Sequence, residues 1–167
     1  MRLESVAESA SGVVQCSAAT STLSCKDGSY YSIAERVNIG ENCVLFTAAS
    51  VPSGLPAQLT IESQVAIQPG CTIYSSRIGK EVFIGANSVI MEGSMLENGC
   101  IIAPNSVVPP GRVVPSRQMW GGNPIKYIRD VDDRDIQALR TFIENQWDRT
   151  VPITFQFLPY NNAYLLR

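Results

Sequence analysis

The 167-residue sequence contains no histidine. Its absence removes the commonest metal ligand and the side chain best suited to proton transfer near neutral pH. No CxxC pair occurs among the cysteines at 16, 25, 43, 71 and 100, so there is no zinc-ribbon or thioredoxin-like signal. Their odd number and wide spacing argue against a disulfide framework and fit a reducing compartment. No apolar run approaches the roughly 18–20 residues that span a bilayer, so no transmembrane segment is expected. An excess of one charge is also missing. Thirteen Lys and Arg against 15 Asp and Glu leave a net charge of −2, which gives no reason to expect a nucleic acid partner. The N-terminus, with Glu4 and Glu8 and no apolar stretch, does not read as a secretory leader and is too acidic for a convincing transit peptide.

What is present is a repeat of six. From Ile33 the blocks read IAERVN, IGENCV and LFTAAS; they resume at Ile61 as IESQVA, IQPGCT and a shorter IYSSR. From Ile78 they run IGKEVF, IGANSV, IMEGSM, LENGCI, IAPNSV, VPPGRV and VPSRQM, and Trp120 closes the series. Every block opens on Ile, Leu or Val. The fifth position is small or β-branched through most of the run, as at Val37, Cys43, Val65, Cys71, Val82, Ser88, Cys100 and Ser106. A helix needs apolar residues every three to four positions, and an alternating strand needs every second one. A period of six describes short strands joined by tight turns, three to a triangular coil, with the coils stacked as parallel sheets around an aliphatic column. The expected fold is an all-β solenoid, a parallel β-helix.

Residues 1–32 are expected to form an N-terminal segment or imperfect capping coil. Residues 33–125 form the β-helix, with a loop at 51–60 (VPSGLPAQLT) projecting from a corner because of its prolines and glycine. GGNP at 121–124 is a turn. Residues 126–147 form a helical region in which Asp132 or Asp133 caps and Ile136, Leu139, Ile143 and Trp147 share one face. That helix is expected to pack along the β-helix or across a subunit boundary. Residues 148–167 read as an extended apolar arm that docks on a partner.

The segment VVPPGRVVPSRQMWGGNPIKYIRDV (107–131) resembles the γ-class carbonic anhydrase family, whose members read VVPPGTVVPSG, WAGNPAK and LR here and continue into a C-terminal helix. The resemblance extends back to Ile33 and includes the loop and the short block at 73–77. The hexapeptide repeat alone is less specific, because acyltransferases share it. The resemblance implies a left-handed β-helix, against the general right-handed rule for parallel crossovers. It also implies a trimer with zinc at each subunit interface, held by two histidines of one subunit and one of its neighbour, with an open position for water.

In that family the first histidine follows an N-I-x-(D/E)-x4 stretch. Here NIGENCVLF puts Phe46 in its place. The other two lie in V-x-V-G-H-x3-L-H, which here reads VAIQPGCTIY, with Pro69 and Tyr74 at those positions. An upstream arginine-glycine-aspartate corresponds to Cys25, Lys26 and Asp27, so only the aspartate remains. Phe and Pro carry no metal donor, and Tyr74 offers one oxygen, a ligand only as phenolate. Phe46, Pro69 and Tyr74 are therefore read as degenerate ligand positions, with no metal, cofactor or catalytic residue. Phe46 and Tyr74 are expected at one corner, a coil apart, packed on each other as apolar filling.

Other groups have plainer readings. Cys43 and Cys71 fall on equivalent faces of adjacent coils, and small interior residues explain them better than a soft-metal site. Cys16 and Cys25 are unexplained. Glu92 and Glu97 fit solvated turns. Asp130, Asp132, Asp133 and Asp135 fit acids at a helix N-terminus. The glycines at 79–85 and 93–99 are turn glycines without a phosphate-binding context.

The leading expectation is a non-catalytic γ-carbonic-anhydrase-like subunit in a heterotrimer with paralogues. The resemblance suggests attachment to the membrane arm of mitochondrial respiratory complex I, on the matrix side of the inner membrane. One histidine-free member would spoil two of the three interfacial sites. Two alternatives stand beside it: a homotrimeric module binding a small molecule in a cleft of Phe46, Pro69 and Tyr74, and a hexapeptide acyltransferase, which would lack the usual histidine base.

Overall fold

The computed structural model describes residues 14–16, 22–24, 30–47 and 58–149. Cys25, Lys26, Asp27, the side chains of Cys16 and Trp147, and the arm from 150 onward lie outside them. The chain winds coil by coil. The first coil is β1 (Val14–Cys16), β2 (Thr22–Ser24) and β3 (Tyr30–Ile33); the second is β4 (Val37–Ile39), β5 (Val44–Phe46) and β6 (Gln58–Ile61). The third is β7 (Ala66–Ile67), β8 (Thr72–Tyr74) and β9 (Arg77–Ile78), and the fourth is β10 (Phe83–Ile84), β11 (Val89–Ile90) and β12 (Met95–Leu96). The fifth is β13 (Ile101–Ile102), β14 (Val107–Val108) and β15 (Val113–Val114), followed by β16 (Gln118–Gly121), β17 (Lys126–Asp130) and α1 (Asp133–Arg149).

Each strand pairs in parallel with its counterpart in the next coil, as in Leu45↔Ile73, Ile73↔Ile90 and Ile90↔Val108. Three sheets result, ordered β1-β4-β7-β10-β13-β16-β17, β2-β5-β8-β11-β14 and β3-β6-β9-β12-β15. The fold is a left-handed β-helix with a C-terminal helix. The first residue of each six points inward: Leu45, Ile61, Ile67, Ile73, Ile78, Ile84, Ile90, Leu96 and Ile102 are all sealed from solvent. The short block around Ser75 and Ser76 is absorbed between β8 and β9 without loss of register, since Thr60↔Arg77 and Ile61↔Ile78 still pair.

Three boundaries differ from expectation. Residues 58–60 of the expected loop belong to β6, because Leu59 and Ile61 supply inward side chains that the prolines at 52 and 56 do not interrupt. The expected helical region begins with a strand. β17 turns back antiparallel on β16, since Ile125 and Val131 anchor its two ends in buried positions. The helix then runs to Arg149, so the first two residues of the expected arm belong to it.

The turns carry their own constraint. At one position per turn the backbone is left-handed, and alongside Gly70, Gly93, Gly99 and Gly111 this position holds Arg36, Asn42, Gln64, Glu81, Asn87, Asn105 and Arg117. Asn tolerates the left-handed region better than most residues with a Cβ. Gly40 and Gly85 are required for another reason. A Cβ on Gly40 would lie 2.5 Å from the Pro69 nitrogen, and one on Gly85 would lie 2.4 Å from the Pro104 nitrogen, in the coil above.

α1 lies across the outer face of the first sheet. Asp133 pairs with Arg117, Arg140 with Glu81 (Nε to Oε1 2.6 Å), and Leu139 and Ile143 pack with Ala66, Phe83 and Phe142. Phe83 and Phe142 meet edge to face at 6.2 Å. Three to four helical residues rise ~5 Å, close to the ~4.8 Å between strands, so the helix descends about one coil per turn. Its start is fastened by the Asp132 carbonyl, which accepts from the Asp135 and Ile136 amides at 3.0 and 3.3 Å. In return the Asp132 amide donates to the Asp135 carboxylate at 3.0 Å. Arg129 adds a two-pronged pair to Asp135 at 2.7 and 3.0 Å. No helix among the described residues is long and apolar enough to cross a membrane.

Ile84→Ala should cost about 2–5 kcal/mol in urea denaturation, whereas Val113→Ala, at a 48% exposed position, should stay within about 0.5 kcal/mol. The hydrogen bond from Arg129, aided by the Asp132 amide, holds the Asp135 carboxyl below its usual range. A carboxyl lowered in the folded state stabilises above its unfolded pKa of about 3.9 and loses that contribution as pH falls toward the folded value. Asp135→Asn should therefore flatten the loss of stability below about pH 4 relative to the parent chain, read as melting temperature against pH.

Candidate functional site

The two-residue strands point one side chain in and one out, so each sheet presents a column of outward residues. On the first sheet, Ala66 and Phe83 are covered by α1. On the third, Thr60, Arg77, Met95 and Val113 face outward, and Arg77 pairs with Glu62 at 3.6 Å. On the second sheet the outward column is Val44, Thr72, Val89 and Val107. It carries no charge and no described element covers it, and Val44 is 39% exposed. At the margin of this face stand Phe46 and Tyr74.

Phe46 and Tyr74 are register partners on β5 and β8, and their rings meet edge to face with centroids 5.9 Å apart and planes at 73°. The expectation of one corner, a coil apart, matches this geometry. Pro69 is not with them. It lies exposed in the turn before β8, over Gly40 at a different corner of the coil. The three positions thus do not converge within one chain, and a cleft lined by all three would need a second copy. Catalytic zinc needs three donors of the imidazole, thiolate or carboxylate kind with a fourth position open. Phe46 and Tyr74 instead fill each other's space, and these residues do not fit zinc. Among the described residues, no group of three or more Cys, Asp or Glu is placed to hold a metal ion.

A concavity of about 530 Å³ lies between α1 and the turns of the fourth and fifth coils, and its charged lining is Glu81, Arg117, Asp133 and Arg140. Sequence reasoning did not single out this groove, because Glu81 and Arg140 are 59 residues apart. All four charges are already paired, Arg117 with Asp133 and Arg140 with Glu81, so an ionic ligand would have to displace an existing partner. Three of the four acids expected at the helix start, Asp132, Asp133 and Asp135, serve the first turn, whereas Asp130 ends β17 and accepts from the Tyr127 hydroxyl at 3.0 Å, because the chain is still extended there. Glu97 is exposed and accepts from the Ser116 amide at 3.0 Å.

Comparison with known proteins gives a consistent picture. The family described as bacterial transferase hexapeptide (six repeats) matches residues 75–110. The Arabidopsis thaliana protein named gamma carbonic anhydrase-like 2, mitochondrial, is 40% identical over 128 residues, which is 77% of this chain and 50% of that protein. The same plant's gamma carbonic anhydrase 1, mitochondrial, is 27% identical over 105 residues, 63% of this chain and 38% of that one. Among solved structures, a hexapeptide transferase family protein from Anaplasma phagocytophilum superposes with a TM-score of 0.63 at 23% identity, covering 80% of this chain and 85% of that one. That likeness is one of fold. The chain spans about half the length of the curated relatives it matches.

A double-mutant cycle of Phe46→Ala and Tyr74→Ala should return a coupling of about 0.5–1.5 kcal/mol in denaturation, the magnitude of an edge-to-face aromatic pair. Zero coupling would mean that the rings do not rest on each other in solution.

Proposed function

The chain is a γ-carbonic-anhydrase-like hexapeptide-repeat protein, and on that premise we propose that it is a non-catalytic subunit of a mixed trimer with histidine-bearing paralogues. The trimer would sit on the matrix side of the inner mitochondrial membrane, on the membrane arm of respiratory complex I. The observation that carries this reading is the site itself. Where the family resemblance places zinc ligands, this chain has Phe46 and Tyr74 packed edge to face at 5.9 Å, Pro69 at another corner, and no histidine anywhere in the sequence.

Several findings support it. The identity is higher to a relative named carbonic anhydrase-like than to one named carbonic anhydrase, and both carry a mitochondrial designation. The uncharged column Val44, Thr72, Val89 and Val107 is a face of the kind that buries against a neighbour, since interface cores are depleted of charge. A neighbour seated there would also meet Phe46 and Tyr74, which lie at its margin. With imidazoles absent from one member, two of the three interfaces lack a full ligand set, and the remaining site lies between the two histidine-bearing chains. The chain's task in such an assembly is to complete the ring and present its surface.

Co-expression with a histidine-bearing paralogue tests this. The expected outcome is a mixed trimer on native mass spectrometry that co-migrates with complex I when introduced into mitochondria. Val89→Lys should weaken association by ~10-fold or more, equivalent to 1.4 kcal/mol, with circular dichroism and melting temperature unchanged. Unimpaired assembly of that variant would remove this face as the interface, and a stable homotrimer indifferent to paralogues would remove the proposal.

A further inference from the structure

One corner of the solenoid carries a column of small polar side chains: Cys43, Cys71, Ser88 and Ser106, all fully buried. Three of them donate upward to a main-chain carbonyl of the next coil, Cys43 to Gln68 at 3.2 Å, Cys71 to Gly85 at 3.2 Å and Ser88 to Ala103 at 3.2 Å. Ser106 donates to the same Ala103 carbonyl at 2.6 Å and accepts from the Gly122 amide at 3.1 Å. The column is serine in the upper coils and cysteine in two adjacent lower ones. The Val44 amide donates to the Cys71 carbonyl at 2.9 Å, and Val44 and Thr72 are register partners, so the two cysteines stand side by side on neighbouring coils.

We propose that Cys43 and Cys71 are a redox pair that closes to an intrachain disulfide stapling the second coil to the third. Neighbouring parallel strands stand ~4.8 Å apart, inside the Cα separation of about 4.4–6.8 Å that a disulfide spans. The proximity of the two side chains favours ionisation of Cys43, against the opposing effect of burial, and the same proximity together with burial keeps the proton on Cys71. Neither is in a disulfide in the structure. Cys100, also buried, sits in a different column with Val37, Val65 and Val82, and burial pushes its thiol up to about 12. It is a built-in unreactive control.

The oxidant is a peroxide. The Cys43 thiolate attacks one peroxide oxygen, the O–O bond breaks, and the second oxygen leaves as water after taking a proton. Cys43 is then a sulfenic acid. The Cys71 sulfur attacks the Cys43 sulfur; the S–S bond forms, the S–O bond breaks, and hydroxide leaves as water with the Cys71 proton. Two thiols and hydrogen peroxide give one disulfide and two waters. Cys43 lies three residues before Phe46 and Cys71 three before Tyr74, so the bond would lock together the two strands that hold the aromatic pair.

The test is peroxide treatment of the full chain in its native assembly, then alkylation in denaturant and peptide mapping. The expected result is a peptide pair joined through Cys43 and Cys71, full alkylation of Cys100, and a higher melting temperature that dithiothreitol reverses. In Cys71→Ser, which copies the residue at position 88 of the same column, Cys43 should be trapped by dimedone as sulfenic acid. Complete alkylation of both Cys43 and Cys71 after peroxide has oxidised Cys16 or Cys25 would overturn the proposal. So would accumulation of sulfinic acid on Cys43 with Cys71 still a thiol.

Discussion

One constraint organises the molecule: an aliphatic side chain must enter the interior at every sixth residue, three to a coil. Ile73, Ile90 and Val108 stack in one sheet, Ile67, Ile84 and Ile102 in the next, and Ile61, Ile78 and Leu96 in the third. A slip of one residue would turn a whole column outward, so register is held strongly even where the 73–77 block is one residue short. The outward residues then fall into columns as a consequence. One column accepts the helix, one carries a charged pair, and one is bare of charge. The glycines at 40 and 85 and the left-handed residues at the turns serve the same end, since they let one coil sit directly on the next.

The chemistry follows from what those corners hold. At the margin of the uncharged face, two rings pack on each other where a metal site would need open donors. The uncharged face and the paired, salt-bridged helix side divide the surface into a part suited to a neighbour and a part already satisfied within the chain. The helix groove, with Glu81, Arg117, Asp133 and Arg140 matched to each other, belongs to the satisfied part.

Much of this was legible in the sequence, and the rest was not for identifiable reasons. The six-residue period gives the interior from Ile33 to Val114, because burial of a branched aliphatic is decided locally. It also gives the pairing of Phe46 with Tyr74. Residues 58–60 read as loop because Pro52, Gly54 and Pro56 lie just before them, yet Leu59 and Ile61 follow the inward alternation of a strand. β17 has no periodicity of its own. Its extended form depends on the edge of β16, a non-local partner. The helix's seat on its own chain depends on Ala66 and Phe83, outward positions whose role appears only when Leu139 and Ile143 arrive. Left-handed Arg36, Gln64, Glu81 and Arg117 carry no signal of their type and inherit their conformation from the position in the turn.

The metal content of the endogenous assembly, counted per trimer with this chain present, tests the proposed subunit role most directly. Zinc at no more than one ion per trimer, with none bound by this chain's side chains, is the predicted result. An ion coordinated by Tyr74 together with other donors of this chain, or full occupancy at all three interfaces, would contradict it.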